Sequence, residues 1–264
     1  MAISAAAPPR WVLLPALLGT LLILLPVAAM LTRPNWAELP SLLTSEAALA
    51  ALGLSVWTAL AATLLCLLLG VPLALLLANA RFRGLTVVRS VVLLPLVLPP
   101  VVGGLALLYT FGRQGLLGGT FELLGVQVAY SSLAVVLAQT FVAMPFLVVS
   151  VETAVRGLDR DVLDAAAVDG AGRTGILRHI TMPLILPGLI SGAVLAFARS
   201  LGEFGATLAF AGSVQGVTRT VPLEIYLQRE TDPDAAIALS LLLIVVAVVV
   251  ISLAYGRGAR VAER

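Results

Sequence analysis

Long apolar runs separated by short stretches that hold most of the charge set the pattern of this chain. Six runs stand out, at residues 11–31, 54–78, 88–111, 133–151, 184–211 and 235–255. Runs beyond about 18 residues read as membrane-spanning helices. Lipid offers no water to satisfy an open backbone, so these runs predict an all-α bundle of six transmembrane helices. The first run is longer than a signal-peptide core and contains Pro15 and Pro26. No small-x-small cleavage site follows it before Arg33, so it reads as a retained span.

Composition agrees: 60% of residues are hydrophobic and 11% charged, with a mean hydropathy of +1.09. A soluble domain is about a quarter charged. The arginines orient the bundle. Arg10, Arg81, Arg83, Arg89, Arg156, Arg160, Arg173, Arg178, Arg257, Arg260 and Arg264 fall on one side. Only Arg33, Arg113, Arg219 and Arg229 fall on the other, and Arg199 lies within a span. The positive-inside rule then places both termini in the cytoplasm.

Several chemistries are excluded. All sixteen basic residues are Arg, so the chain has no P-loop Lys to reach a nucleotide phosphate and no Schiff-base Lys. Its single Cys, Cys66, and single His, His179, permit neither an internal disulfide nor a Cys/His metal cluster. Cys66 reads as a packed thiol, and His179 as a solvated or partner-facing residue. No basic patch is interleaved with aromatics, so nucleic acid is not an expected partner. No catalytic residue and no bound cofactor are expected.

The loop at 152–183 joins the fourth and fifth runs and is half apolar. Val162, Leu163, Ala166 and Ala167 fall on one side of a short helix that begins near Asp159 or Asp161, whose carboxylate can cap it. Gly170 and Gly172 then end the helix and turn the chain. A second short segment, 174–181, leads to Pro183 and Pro187, which open the fifth span. The predicted unit is a helix-turn-helix at the membrane face, with Ala165, Ala166 and Ala167 as a shallow docking surface. The stretch D-A-A-A-V-D-G-A, with Ile180 and Met182-Pro183 after it, resembles the EAA motif of binding-protein-dependent ABC importer permeases. Ala165, Ala166, Gly170, Ile180 and Pro183 match, with Asp164 in place of Glu and Met182 in place of Leu. The resemblance implies a type I ABC importer permease-like bundle whose coupling helix docks in a groove of an ABC ATPase subunit. ATP would be used there and not by this chain.

The fifth run holds R-S-L-G-E-F-G-A-T at its centre. An unpaired charge in mid-bilayer costs roughly 2.5–3.5 kcal/mol on insertion scales. Arg199 and Glu203 stand at i and i+4, the spacing of a helical ion pair. The pair fits a structural role in the bundle and a place in the translocation path or gate, and the two are compatible. Gly188, Gly192, Ala196 and Ser200 form a small-xxx-small ladder suited to close helix crossing, and Gly202 and Gly205 permit a bend. In the third run, Pro95, Pro99 and Pro100 predict a kink or local unwinding. The stretch FARSLGEFGATLAFAGSVQGVTRTVPLEIY and the third run resemble the molybdate-type permeases of the same family. That resemblance implies roles in the path or gate for Pro95, Pro99, Pro100, Arg199, Glu203 and Gly205. It covers the chain from about residue 50 onward. At the outer end, Thr207, Ser213, Arg219 and Thr220 are candidates to meet an arriving anion.

The sequence therefore reads as an N-terminal helix and outer loop (1–53), a permease domain (54–256) and a cytoplasmic tail (257–264). The expected protein is a multi-pass permease subunit of the cytoplasmic membrane that imports molybdate or tungstate. Its expected partners are an ABC ATPase, an extracytoplasmic oxyanion-binding protein, a second copy of itself as a homodimer, and membrane lipid. One alternative is a sulfate or thiosulfate permease. Another is an ion-coupled secondary transporter using Arg199 and Glu203, and a third is a membrane scaffold.

Overall fold

The structure is a computed structural model that describes residues 9–262. A single turn at Arg10–Val12 leads into α1 (Leu13–Leu31). That helix is apolar all round and exposed along its length, as suits a lipid-facing span. A short α2 (Leu39–Leu43) precedes α3 (Glu46–Leu65). The Ser45 side chain accepts a hydrogen bond from the Ala48 N–H at 3.3 Å and caps α3. The second span thus starts at Glu46, well before the predicted 54, because Ala48 and Ala51 pack with Val221 and Leu239 in a small cluster of their own.

A π-turn, Cys66–Gly70, joins α3 to α4 (Val71–Asn79), and the three run as one helix over 46–79. Proline lacks an N–H and its ring crowds the carbonyl four residues back. Pro72 follows this π-turn, whose wider winding accommodates the clash. Cys66 is buried, as expected, and its Sγ lies 3.7 Å from the Thr140 carbonyl.

The third span is broken. Helices α5 (Leu85–Val97) and α6 (Pro100–Phe111) meet at 116°, much more than a kink. The helical region is disfavoured for a residue preceding proline; single prolines such as Pro95 are absorbed within helices here, but two in a row are not. Leu98 precedes Pro99 and Pro99 precedes Pro100, so both adopt extended ψ values, 136° and 132°. A short α7 (Gly118–Leu123) follows, then α8 (Ser132–Arg156), capped by Ser131. Most of the buried side chains of the bundle are on α8 or touch it.

Beyond α8 lie α9 (Arg160–Val168), α10 (Arg173–Ile176), a second π-turn (Leu177–Thr181) and α11 (Met182–Leu201). The predicted separate segment 174–181 is not separate. Residues 173–201 form one continuous helix, again with a π-turn just ahead of a proline, Pro183. The fifth span therefore begins at Arg173 and ends at Leu201. The chain continues through α12 (Gly205–Ala211), α13 (Val221–Thr231) and α14 (Pro233–Ala262), whose backbone carries the helix past the predicted end of the sixth span. The part of the predicted tail at 263–264 lies outside the described residues. Among the described residues, five continuous helices are long and apolar enough to cross a membrane, and the bent α5–α6 pair, taken as one span, makes six.

The small-residue ladder of α11 is spent within the protomer. A Cβ on Gly188 would lie 2.5 Å from the Ala154 Cβ, and one on Gly192 would lie 2.9 Å from the Ser150 Cβ. The Ser150 hydroxyl donates to the Gly188 carbonyl at 2.8 Å. These contacts set α11 directly against α8.

Candidate functional site

The break within the third span meets the break that follows the fifth. Helices α6 and α12 lie backbone to backbone. A Cβ on Gly104 would stand 2.6 Å from the Ala206 carbonyl oxygen and 2.8 Å from the Ala209 Cβ. A Cβ on Gly205 would stand 3.0 Å from the Pro100 Cβ. Only glycine permits this approach. Of the predicted path residues, Pro100 and Gly205 are thus in contact, and Pro99 flanks them. Pro95 lies in the last turn of α5 and is half-buried. Pro99 and Pro100 are exposed, and Val97 beside them is 83% exposed.

The predicted ion pair forms, though not on a continuous helix. Helix α11 ends at Leu201, and Glu203 sits in the break before α12. Arg199 Nη2 approaches Glu203 Oε2 to 2.6 Å. The approach is off the line of a hydrogen bond, so this is a contact of charges. The other oxygen, Oε1, accepts the Ala206 N–H at 2.7 Å. Glu203 therefore does two things: it pairs with Arg199 on α11, and it satisfies a free donor in the first turn of α12. It is buried, whereas Arg199 keeps a quarter of its side-chain exposure. Phe204, also in the break, packs against Tyr226 of α13 with ring centroids 5.1 Å apart, and Arg229 lies over the Tyr226 ring.

The second predicted site is the loop at the opposite end of α11. Asp159 caps α9, its carboxylate accepting the Asp161 N–H at 3.0 Å. The helix ends as the sequence predicts. Gly170 has φ +87°, the Ala171 N–H reaches the Ala166 carbonyl at 3.0 Å, and the Gly170 N–H reaches that of Ala167 at 3.1 Å. This is a Schellman termination. Asp164 and Ala165 are exposed and Ala166 is half-buried. Val162 and Val168 on α9, and Leu177 at the start of the second π-turn, present exposed apolar side chains. Ile180 is half-buried in the second π-turn, and Pro183 is exposed at the start of α11. His179 is exposed, with Nδ1 3.1 Å from the Gly175 carbonyl.

Arg219, a candidate to meet an anion, is engaged in holding its own loop. Its Nε donates to the Ser213 hydroxyl at 3.2 Å and its Nη1 reaches buried Glu224 at 3.4 Å. The loop is tied further by the Val221 N–H, which donates to the Ser55 hydroxyl at 2.7 Å. Thr207 and Thr220 are buried. One charged cluster escaped the sequence reading. Glu152 on α8 pairs with Arg89 of α5 at 2.7 Å and with Arg156 at 2.9 Å, joining two helices where α8 leaves the apolar core. The i,i+4 spacing of Glu152 and Arg156 was the visible signal; the long-range partner had none. No group of metal-ligating side chains occurs among the described residues.

Comparison with known proteins bears on the family and the fold. The family model for the binding-protein-dependent transport system inner membrane component matches residues 70–261. The molybdenum transport system permease protein ModB of Mycobacterium tuberculosis is 58% identical over 229 residues, 87% of each chain. A probable molybdenum ABC transporter permease of Haloferax volcanii is 42% identical over 238 residues, 89% of this chain and 86% of that one. Among solved structures, a bacterial alginate ABC transporter in complex with an alginate-bound periplasmic protein superposes with a TM-score of 0.73 over 95% of each chain. At 18% identity it speaks for the fold alone. The bundle with its broken third span is thus that of an ABC importer permease, and the chain belongs to the family of binding-protein-dependent transport system inner membrane components.

Proposed function

We propose that this chain is the permease subunit of an ATP-driven importer that carries molybdate or tungstate across the cytoplasmic membrane. The observation that carries the reading is the 58% identity, over 87% of each chain, to a molybdenum transport permease. Sulfate carriage and ion-coupled secondary transport have no comparable support.

In this reading the subunit works as a homodimer with two ATPase subunits and an extracytoplasmic binding protein, and its termini face the cytoplasm. The arginine asymmetry supports the orientation. The exposed break at Val97, Pro99 and Pro100 supports a partner copy beside it. Helix α9 is the coupling helix. Asp164, Ala165, Ala166 and Gly170 present it to the ATPase, with Val162 and Val168 as apolar contacts. Ile180 and Pro183 connect its motion to α11, because residues 173–201 form one continuous helix. At the far end of that helix stand Arg199 and Glu203. The crossing of α6 and α12, built by Pro99, Pro100, Gly205 and Gly104, forms the gate, and Glu203 ties its α12 side to the end of α11. ATP hydrolysis belongs to the separate ATPase subunit, and selection of the anion to the binding protein. A permeation path that binds its cargo weakly suits this division, since tight binding slows release.

The test is uptake of labelled molybdate into proteoliposomes that hold the chain with its ATPase and binding protein. Uptake that needs ATP and resists excess sulfate is expected. Uptake abolished by sulfate reassigns the substrate, and uptake without ATP refutes the mechanism.

A further inference from the structure

None of these roles uses the cavity between α9 and the bundle. It measures about 300 Å³ and is walled by Asn79 at the end of α4 and Arg81 after it, Arg156 of α8, Arg160 and Leu163 of α9, and Thr181 at the base of α11. That volume equals about ten waters at roughly 30 Å³ each, ample for a tetrahedral oxyanion with part of its hydration.

Three guanidiniums line it, and their charges are only partly met. Glu152 serves both Arg156, at 2.9 Å, and Arg89, at 2.7 Å. Arg81 and Arg160 form no ion pair among the described residues. Asp159, next to Arg160, turns its carboxylate to the Asp161 N–H. The residues that line the cavity carry three guanidiniums and no carboxylate, an excess offset in part by Glu152, which Arg156 shares with Arg89; Asp161 and Asp164 of α9 are exposed and outside the lining. The carbonyl end of α4 takes up part of this, since Arg89 Nη2 also reaches the Leu77 carbonyl at 3.3 Å. Arginines on a cytoplasmic face ordinarily stand apart in water. Here three of them, from separate segments, converge on one partly open cavity. Guanidinium forks match the oxygens of phosphate-type anions, and a bound anion removes the repulsion among them.

We propose that this cavity binds a tetrahedral oxyanion, either free or as the phosphate of an anionic phospholipid, and that the bound group braces α9 against the bundle. The proposal is independent of which anion is transported, because it concerns the site beneath the coupling helix and not the path.

The test uses the purified full-length chain. Delipidated protein in neutral detergent is titrated with tungstate, sulfate and inorganic phosphate while its melting temperature is followed. In parallel it is reconstituted with phosphatidylglycerol or phosphatidylcholine. The expected result is a saturable rise in melting temperature with the free anions, with phosphatidylglycerol over phosphatidylcholine, or with both. The R81Q/R160Q variant should need about tenfold or more ligand, the loss of charge-assisted hydrogen bonds. Both arginines are exposed, so the variant should fold. The control R178Q, an exposed arginine outside the cavity, should respond like the wild type. A response to free anions alone identifies a soluble ligand, and one to phosphatidylglycerol alone identifies lipid. The proposal fails if neither arm responds, or if R81Q/R160Q responds like the wild type. It also fails if R178Q loses as much as the double variant. An R81Q/R160Q variant that loses only ATPase assembly, in a chain no anion stabilises, would make the cavity a socket for an acidic side chain of the ATPase.

Discussion

Replacing Arg199 by Gln leaves the Glu203 carboxylate in the break between α11 and α12 with its cap but without its counter-charge. Glu203 is buried at 1% side-chain exposure and Arg199 retains 26%. Stranding one member of a buried pair costs about 3–5 kcal/mol. The partial exposure of Arg199 points to the lower end, about 3 kcal/mol, or a fall in melting temperature of about 6–12 °C. Glu203→Gln should be milder, because a Gln oxygen can still accept the Ala206 N–H, and Arg199 can turn toward water. Glu203→Ala also loses the cap, which adds about 0.5–2 kcal/mol. The double variant R199Q/E203Q, with no charge left to strand, should recover much of the loss seen in R199Q alone. Melting of the four variants in lipid nanodiscs, arranged as a double-mutant cycle with uptake measured alongside, reads out each difference. Equal stability of R199Q and wild type would refute the reasoning, as would a double variant no better than R199Q.

Gly104→Val should destabilise the α6–α12 crossing by about 1–3 kcal/mol, since even its Cβ would stand 2.6 Å from the Ala206 carbonyl oxygen. A loss of folded protein in detergent, with no loss for Gly119→Val where nothing lies within 4 Å, checks it. Gly170→Ala meets no neighbour but must hold φ +87°, a cost of about 1–2 kcal/mol. The expected outcome is normal insertion with binding-protein-stimulated ATP hydrolysis reduced, and Gly170→Asn closer to wild type. Gly170→Asp should likewise insert but transport poorly, measured as uptake against membrane content. Arg219→Ala removes the bonds to Ser213 and strands buried Glu224 with Gln228 as its remaining side-chain partner. Melting should fall, and R219A/E224Q should restore part of it while uptake keeps its anion preference.

Much of this architecture follows from the chain alone, because its causes are local. Run length sets the spans, Asp159 and Gly170 begin and end α9, and the adjacent Pro99 and Pro100 break the third span, since together they push two successive residues out of the helical region. The meeting of charges at Arg199 and Glu203 needed only their spacing. Tertiary structure decided the rest. It brought α6 against α12, turned Glu203 from a member of a helical pair into a cap across a break, joined Arg89 to Glu152, and carried Arg173 into the fifth span. In water, the apolar face of a helix announces which side is buried. In lipid, the side facing the bilayer is as apolar as the side facing the bundle. The pattern along this chain therefore shows that helices span and where they break, while which faces touch is settled only by how their small residues and few charges fit.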